Sequence, residues 1–182
     1  LERYITHAKN VELSNRIAEG LLVTVKEATK KALKNPCDYE ARANLMWAGS
    51  LSHNGLTGTG RINDFPVHKL GHELSAMFDA THGASLTCTW GAWARYVYKS
   101  NPAIFARFAV KVDDVEATAL AGIDAWDDWC RSIGMPVTLT ELLGFTPTEE
   151  QLEEMAEKAA AVGGGKIGLF QSLDKKMEGD HG

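Results

Sequence analysis

Three histidines, His68, His72 and His82, lie four and then ten residues apart in the stretch VHKLGHELSAMFDATHG, among apolar positions that repeat at helical spacing. Residues four apart on a helix sit one turn apart on one face, so His68 and His72 can point into a single cleft. An imidazole with an unperturbed pKa near ~6.5 is mostly neutral at physiological pH, the state that ligates a borderline divalent cation. Phe78-Asp79-Ala80-Thr81 reads as a helix end and a short turn, after which His82 opens another apolar run and can close on the same cleft. The pattern is that of a metal site on a helical scaffold. A metallohydrolase is the rival enzyme reading, but Glu73 follows the second histidine. The zinc-hydrolase order His-Glu-x-x-His, which puts the glutamate where it reaches the bound water, is not met.

The elements that must position these side chains are helices almost throughout. Residues 10–33 carry Val11, Leu13, Ile17, Leu21, Leu22, Val25, Ala28 and Ala32 with Glu, Lys and Arg between them, an amphipathic helix stopped at Asn35-Pro36. Asp38 can cap a second helix that runs through Ala43, Leu45, Met46 and Trp47 to the region of His53, with Gly55, Gly58 and Gly60 marking the loop beyond. A third begins near Pro66 and carries His68 and His72; a fourth runs from His82 through Trp90, Trp93, Tyr96 and Val97. Ser100-Asn101-Pro102 supplies a cap and a first-turn proline for a fifth. Asp113 or Asp114 is expected to start a sixth, with Leu120, Ile123, Trp126 and Trp129 on its apolar side and Gly134 as its stop. Thr146-Pro147-Thr148-Glu149 has the capping-box form and opens a seventh, reaching the region of Ala161. Hardly any segment alternates as a strand does, so the expected fold class is all-α, a bundle of about seven or more helices.

Composition narrows the function classes. The 182 residues are 45% hydrophobic and 24% charged, with a formal charge of -5, an ordinary globular balance with no basic stripe for nucleic acid or an anionic membrane. No apolar run approaches the ~20 residues of a membrane span. Cys37, Cys88 and Cys130 are widely spaced and odd in number; they suit small packed hydrophobes in a reducing compartment, and a cytoplasmic location is expected. Trp90, Trp93, Trp126 and Trp129 with Phe105 and Phe108 are expected in the core. His7 and His53 are expected at the surface or in loops. Gly163-Gly164-Gly165 reads as a mobile turn, since Lys166-Ile167 after it lacks the spacing and hydroxyl of a phosphate-binding loop. No Gly-x-Gly-x-x-Gly fingerprint is present to hold a dinucleotide.

The stretch His68-Lys69-Leu70-Gly71-His72-Glu73-Leu74, followed by Thr81-His82-Gly83, resembles the signature of the iron-containing (group III) alcohol dehydrogenases. The similarity extends through the helix of residues 10–33, through Tyr39-Glu40-Ala41-Arg42-Ala43-Asn44-Leu45-Met46-Trp47-Ala48 and through the Asn54-Gly55 turn, and it is strongest to the butanol dehydrogenase and aldehyde reductase branch. The resemblance implies a two-domain enzyme in which an N-terminal α/β domain holds NAD or NADP and a helical domain of the dehydroquinate synthase-like C-terminal type holds the metal. Residues 1–173 are then that helical domain and 174–182 a tail. The family's metal is bound by one Asp and three His. His68 and His82 correspond to two of these ligands, while His72 is implicated in catalysis or proton relay. Glu2 and Tyr4 match the continuation of the motif that carries the other two, so the remaining Asp and His are expected upstream of Leu1. No residue of this chain is assigned to the nucleotide, and the chain alone is expected to be inactive. Fe²⁺ and Zn²⁺ suit the donor set equally. Further implied are a short-chain alcohol or aldehyde substrate, no nucleic-acid or membrane partner, and a homodimer in the full-length form. A non-enzymatic helical interaction module with incidental histidines is the alternative from a different class.

Overall fold

The computed structural model describes residues 1–162 and 165–174. Gly163, Gly164 and the expected tail beyond Asp174 lie outside the described residues. The order is α1 (Glu12–Lys34), α2 (Tyr39–His53), a 3-10 turn (Leu56–Gly58), α3 (Pro66–Phe78), α4 (His82–Val97), α5 (Pro102–Phe108), α6 (Ala119–Ser132), α7 (Leu139–Leu143) and α8 (Glu149–Val162), then the two-residue strands β1 (Lys166–Ile167) and β2 (Leu173–Asp174), paired antiparallel. The all-α class is borne out. None of the described helices is long and apolar enough to cross a membrane. The described residues divide into two compact units, one of residues 1–63 and 101–125, the other of residues 64–100 and the described residues from 126 on.

In the first unit, α1 and α2 pack through small residues, Ala18 and Ala28 on one helix and Ala41 and Ala48 on the other being buried. Asp38 caps α2 as expected, its carboxylate accepting from the Ala41 N–H at 2.9 Å. Met46 and Trp47, read as apolar contributors to that helix, are exposed together with Tyr39 and Leu13. The alanine face lets the two helices approach and turns the larger side chains outward. Buried Glu19 is a charged hub. Tyr4 donates its hydroxyl to Glu19 at 2.8 Å, and Arg107 donates Nε to the same carboxylate at 2.5 Å and Nη1 to Glu12 at 2.6 Å.

Two helix starts of the first unit differ from expectation. Asn101 does not cap α5 with its side chain, although Pro102 does occupy the first turn. After Phe108 the chain enters a π-helical turn, Ala109–Asp113, and Asp113 bonds the ammonium of Lys26 at a buried site. Asp114 follows in the left-handed region at φ 52°. Neither aspartate begins α6, because one is drawn inward by Lys26 and the other reverses the chain. Thr118 performs the capping, accepting from the Ala121 N–H at 3.2 Å.

The second unit holds four of the five tryptophans. Trp126 packs on Trp90 at 5.9 Å and on Trp129 at 4.8 Å between ring centroids, and all four tryptophans of the expected core are buried. Phe105 and Phe108, in the first unit, are also fully buried. Leu120, expected on the apolar side of α6, is exposed. The box at α8 is made by Thr148 and Gln151, which exchange side-chain and backbone bonds at 2.9 and 3.3 Å, and not by Thr146 and Glu149. α7 was not anticipated; Thr138 caps it by accepting from the Glu141 N–H at 3.1 Å. Cys88 and Cys130 are buried as expected, and burial pushes the Cys88 thiol up to about 12. Cys37 is exposed.

Replacing Arg107 with Met strands the buried Glu19 carboxylate without its cation, and urea unfolding should show a loss of about 3 kcal/mol. Arg107 and Arg16 hold the Glu12 carboxyl at about 2, so its stabilising share is present above the ordinary 4.5 and is lost as pH falls through about 2. Stability of Arg107→Met should therefore fall less steeply over that acid window than stability of the parent.

Candidate metal centre

Within the second unit, α3 begins at Pro66, whose missing N–H costs nothing in a first turn. Val67, Gly71 and Leu74 form its buried side. His68 and His72 lie round the helix from these, His68 half-buried and His72 exposed. The helix ends at Phe78 with Asp79 in the left-handed conformation at φ 53°, and Thr81 in extended backbone leads into α4 with His82 as its first residue. This three-residue reversal returns the chain alongside α3. It brings the His82 ring to 5.4 Å from that of His68 and 5.2 Å from that of His72, while His68 and His72 are 6.4 Å apart between centroids. The ring of Phe65 meets His68 edge-on at 5.3 Å.

Gly71 makes the convergence possible. A Cβ at this position would stand 2.9 Å from Ser85 Oγ and 3.1 Å from Leu86 Cδ2, both on α4. Ser85 is fully buried and donates its hydroxyl to the His82 carbonyl at 2.8 Å, so it is not free to retreat. Sequence reasoning passed over both residues; an isolated glycine inside an apolar helical pattern was the signal available. On the far side of α3, Leu74 packs with Cys88 and Met155, and an apolar cavity of about 270 Å³ is lined by Leu70, Cys88, Trp93 and Met155 among others.

Partial burial of its ring, and then the neighbouring His68 and His72, lower the pKa of His82. That favours the neutral imidazole, the form with a lone pair for a cation. Neutral nitrogen donors offered from two helices fit a borderline divalent metal in type, but they do not make a complete set. Among the described residues, no group of three or more His, Cys, Asp or Glu side chains is arranged to hold a metal ion. Glu73 acts elsewhere: its charge raises the pKa of Lys158 on α8, after the direct bond that Lys158 donates to Glu154. His53 is exposed, its Nδ1 lying 2.7 Å from Ser52 Oγ and 3.0 Å from the Gly49 carbonyl in the first unit.

Convergent imidazoles at a chain reversal are the donor type that a borderline divalent cation takes. The sequence profile described as "Fe-containing alcohol dehydrogenase family, C-terminal" matches residues 1–175, and the chain belongs to the iron-containing alcohol dehydrogenase family. It is 36% identical to NADH-dependent butanol dehydrogenase B of Clostridium acetobutylicum, over 95% of this chain and 46% of that protein. It is 33% identical to probable NADH-dependent butanol dehydrogenase 1 of Bacillus subtilis, over 96% of this chain and 46% of that protein. The crystal structure of NADH-dependent butanol dehydrogenase A from Thermotoga maritima superposes with a TM-score of 0.90 at 34% identity, covering 98% of this chain and 47% of that one. The chain thus spans about half the length of the relatives it matches.

Gly71→Val should force α3 and α4 apart. We expect a loss of about 1–3 kcal/mol in urea unfolding from the overpacked contact, together with weakened magnetisation transfer between the His72 and His82 rings in NMR spectra.

Proposed function

We propose that this chain is the helical, metal-holding part of an NAD(P)-dependent alcohol dehydrogenase that also reduces aldehydes. In this reading His68 and His82 ligate the metal, His72 moves the proton, and the nucleotide is held by a further domain. The observation that carries the reading is the convergence of three imidazoles from α3 and α4 within 5.2 to 6.4 Å of one another between ring centroids. The family and the butanol dehydrogenase names of its relatives support the substrate class, a short-chain alcohol or aldehyde. Two further ligands, an Asp and a His, are to be contributed by residues outside this chain. Imidazole donors suit Fe²⁺ and Zn²⁺ alike. The full-length enzyme is proposed to be a cytoplasmic homodimer.

A metal held here supplies Lewis-acid polarisation of the substrate oxygen. The chain's own side chains do the rest. His82, biased toward its neutral form, keeps a lone pair available at the first turn of α4. His68, half-buried against the Phe65 ring, has restricted freedom to turn away. His72 is exposed one turn further along α3, where an imidazole can pass a proton between a substrate oxygen and water. Hydride transfer belongs to the nicotinamide.

The test uses the protein expressed from its full reading frame, with NAD(P)H-dependent reduction of butanal followed by nicotinamide absorbance and metal content by mass spectrometry. His68→Ala and His82→Ala should lose bound metal and at least about a hundredfold in kcat/KM, more than second-shell changes normally cost. His72→Asn should keep the metal and lose about 10²-fold or more in kcat, the scale of general acid–base catalysis. Full metal content and turnover in His68→Ala would sink the assignment.

A further inference from the structure

The chain enters α3 through Asp64, a carboxylate only 6% exposed. Its Oδ2 accepts the backbone N–H groups of both Leu169 and Phe170, the latter at 2.8 Å. These donors sit in the turn between β1 and β2, more than a hundred residues further along. The turn is built to close on the carboxylate. Gly168 stands at φ 90°, and a Cβ there would lie 2.7 Å from the Gln171 carbonyl oxygen, so no other residue holds this conformation without strain. Phe170, held by the second of these bonds, is buried and packs edge-on against Trp93 of α4 at 6.0 Å between centroids. One carboxylate therefore joins the entry of α3 to a segment that grips α4. Phe65, the next residue after Asp64, carries the ring that meets His68.

We infer that Asp64 is a positioning residue for the imidazole cluster: by clamping the turn at residues 168–171 to the entry of α3, it sets where His68 stands relative to His82. A charged acceptor engaged by two backbone donors in a buried setting is a strong, directional tie. Its leverage is greatest on the first turn of α3, which holds His68, and smaller on the second, which holds His72. The functional consequence rests on the proposed metal site; the geometric claim does not.

Two readouts separate them, ring and amide NMR on the 182-residue chain and cobalt binding by the protein expressed from its full reading frame. In the metal-free protein, Asp64→Ala should lose amide-exchange protection at Leu169 and Phe170 and weaken the ring-to-ring nuclear Overhauser effect between His68 and His82 more than that between His72 and His82. With cobalt(II) as the probe, its affinity should fall about tenfold to a hundredfold, the usual effect of removing a supporting residue. Asp64→Asn should rescue both, because a single amide oxygen can accept both N–H groups as Oδ2 does. Lost amide protection with unchanged ring contacts overturns the inference. If the parent expressed from its full reading frame binds no cobalt, the metal-site reading fails, and the ring contacts still decide the role of Asp64. Should Asp64→Ala not fold, Gly168→Val attacks the clamp from the other side, and a folded variant with unaltered His68–His82 contact likewise refutes it.

Discussion

Everything at the candidate centre depends on how closely α3 and α4 approach at Gly71. Two helices normally keep 8–10 Å between axes, the distance being set by the side chains at the contact. Here one partner has no side chain, and the other offers Ser85, whose hydroxyl is already committed to the His82 carbonyl. The contact thus does two things at once. It fixes the spacing of the helices, and it ties that spacing to the first turn of α4, where His82 sits. Behind it, Leu74, Cys88 and Met155 exclude water from the opposite side of α3. A rigid apolar back and an exposed imidazole front follow from one helix having two chemically distinct sides.

The front carries imidazoles and no complete donor set. A stable metal site normally closes four donors and a supporting shell, whereas among the described residues no group of three or more His, Cys, Asp or Glu side chains is arranged to hold a metal ion. The matched relatives are about twice as long as this chain. The first unit has a different physical basis. Its long helices meet through alanines, and its buried charge is neutralised within the network of Tyr4, Glu19, Arg107 and Glu12, so its electrostatics serve the scaffold.

Helix existence was legible wherever a local rule decided it. Asp38 before α2, Pro66 at the start of α3, Pro102 in α5 and Gly134 after α6 act within a turn of themselves and stand as read. At α6 a distant group intervened. Asp113 has the chemistry of a helix cap, but Lys26 of α1 captures it, and α6 begins at Ala119 instead. Trp47 and Met46 of α2 are exposed, while the alanines of that helix are buried.

By itself the sequence determined the all-α class, the boundaries set by local caps and the family. Those properties reside in residue type and in spacings of a few positions, which the helical repeat converts directly into shared faces. Only the tertiary structure decided that His82 folds back onto the His68 and His72 face, that Gly71 lies against Ser85 and Leu86 of α4, and that Asp64 reaches the turn at residues 168–171. Such contacts join positions far apart in the chain. Their partners are chosen by packing and by the need of buried donors and acceptors for each other, neither of which a local pattern records.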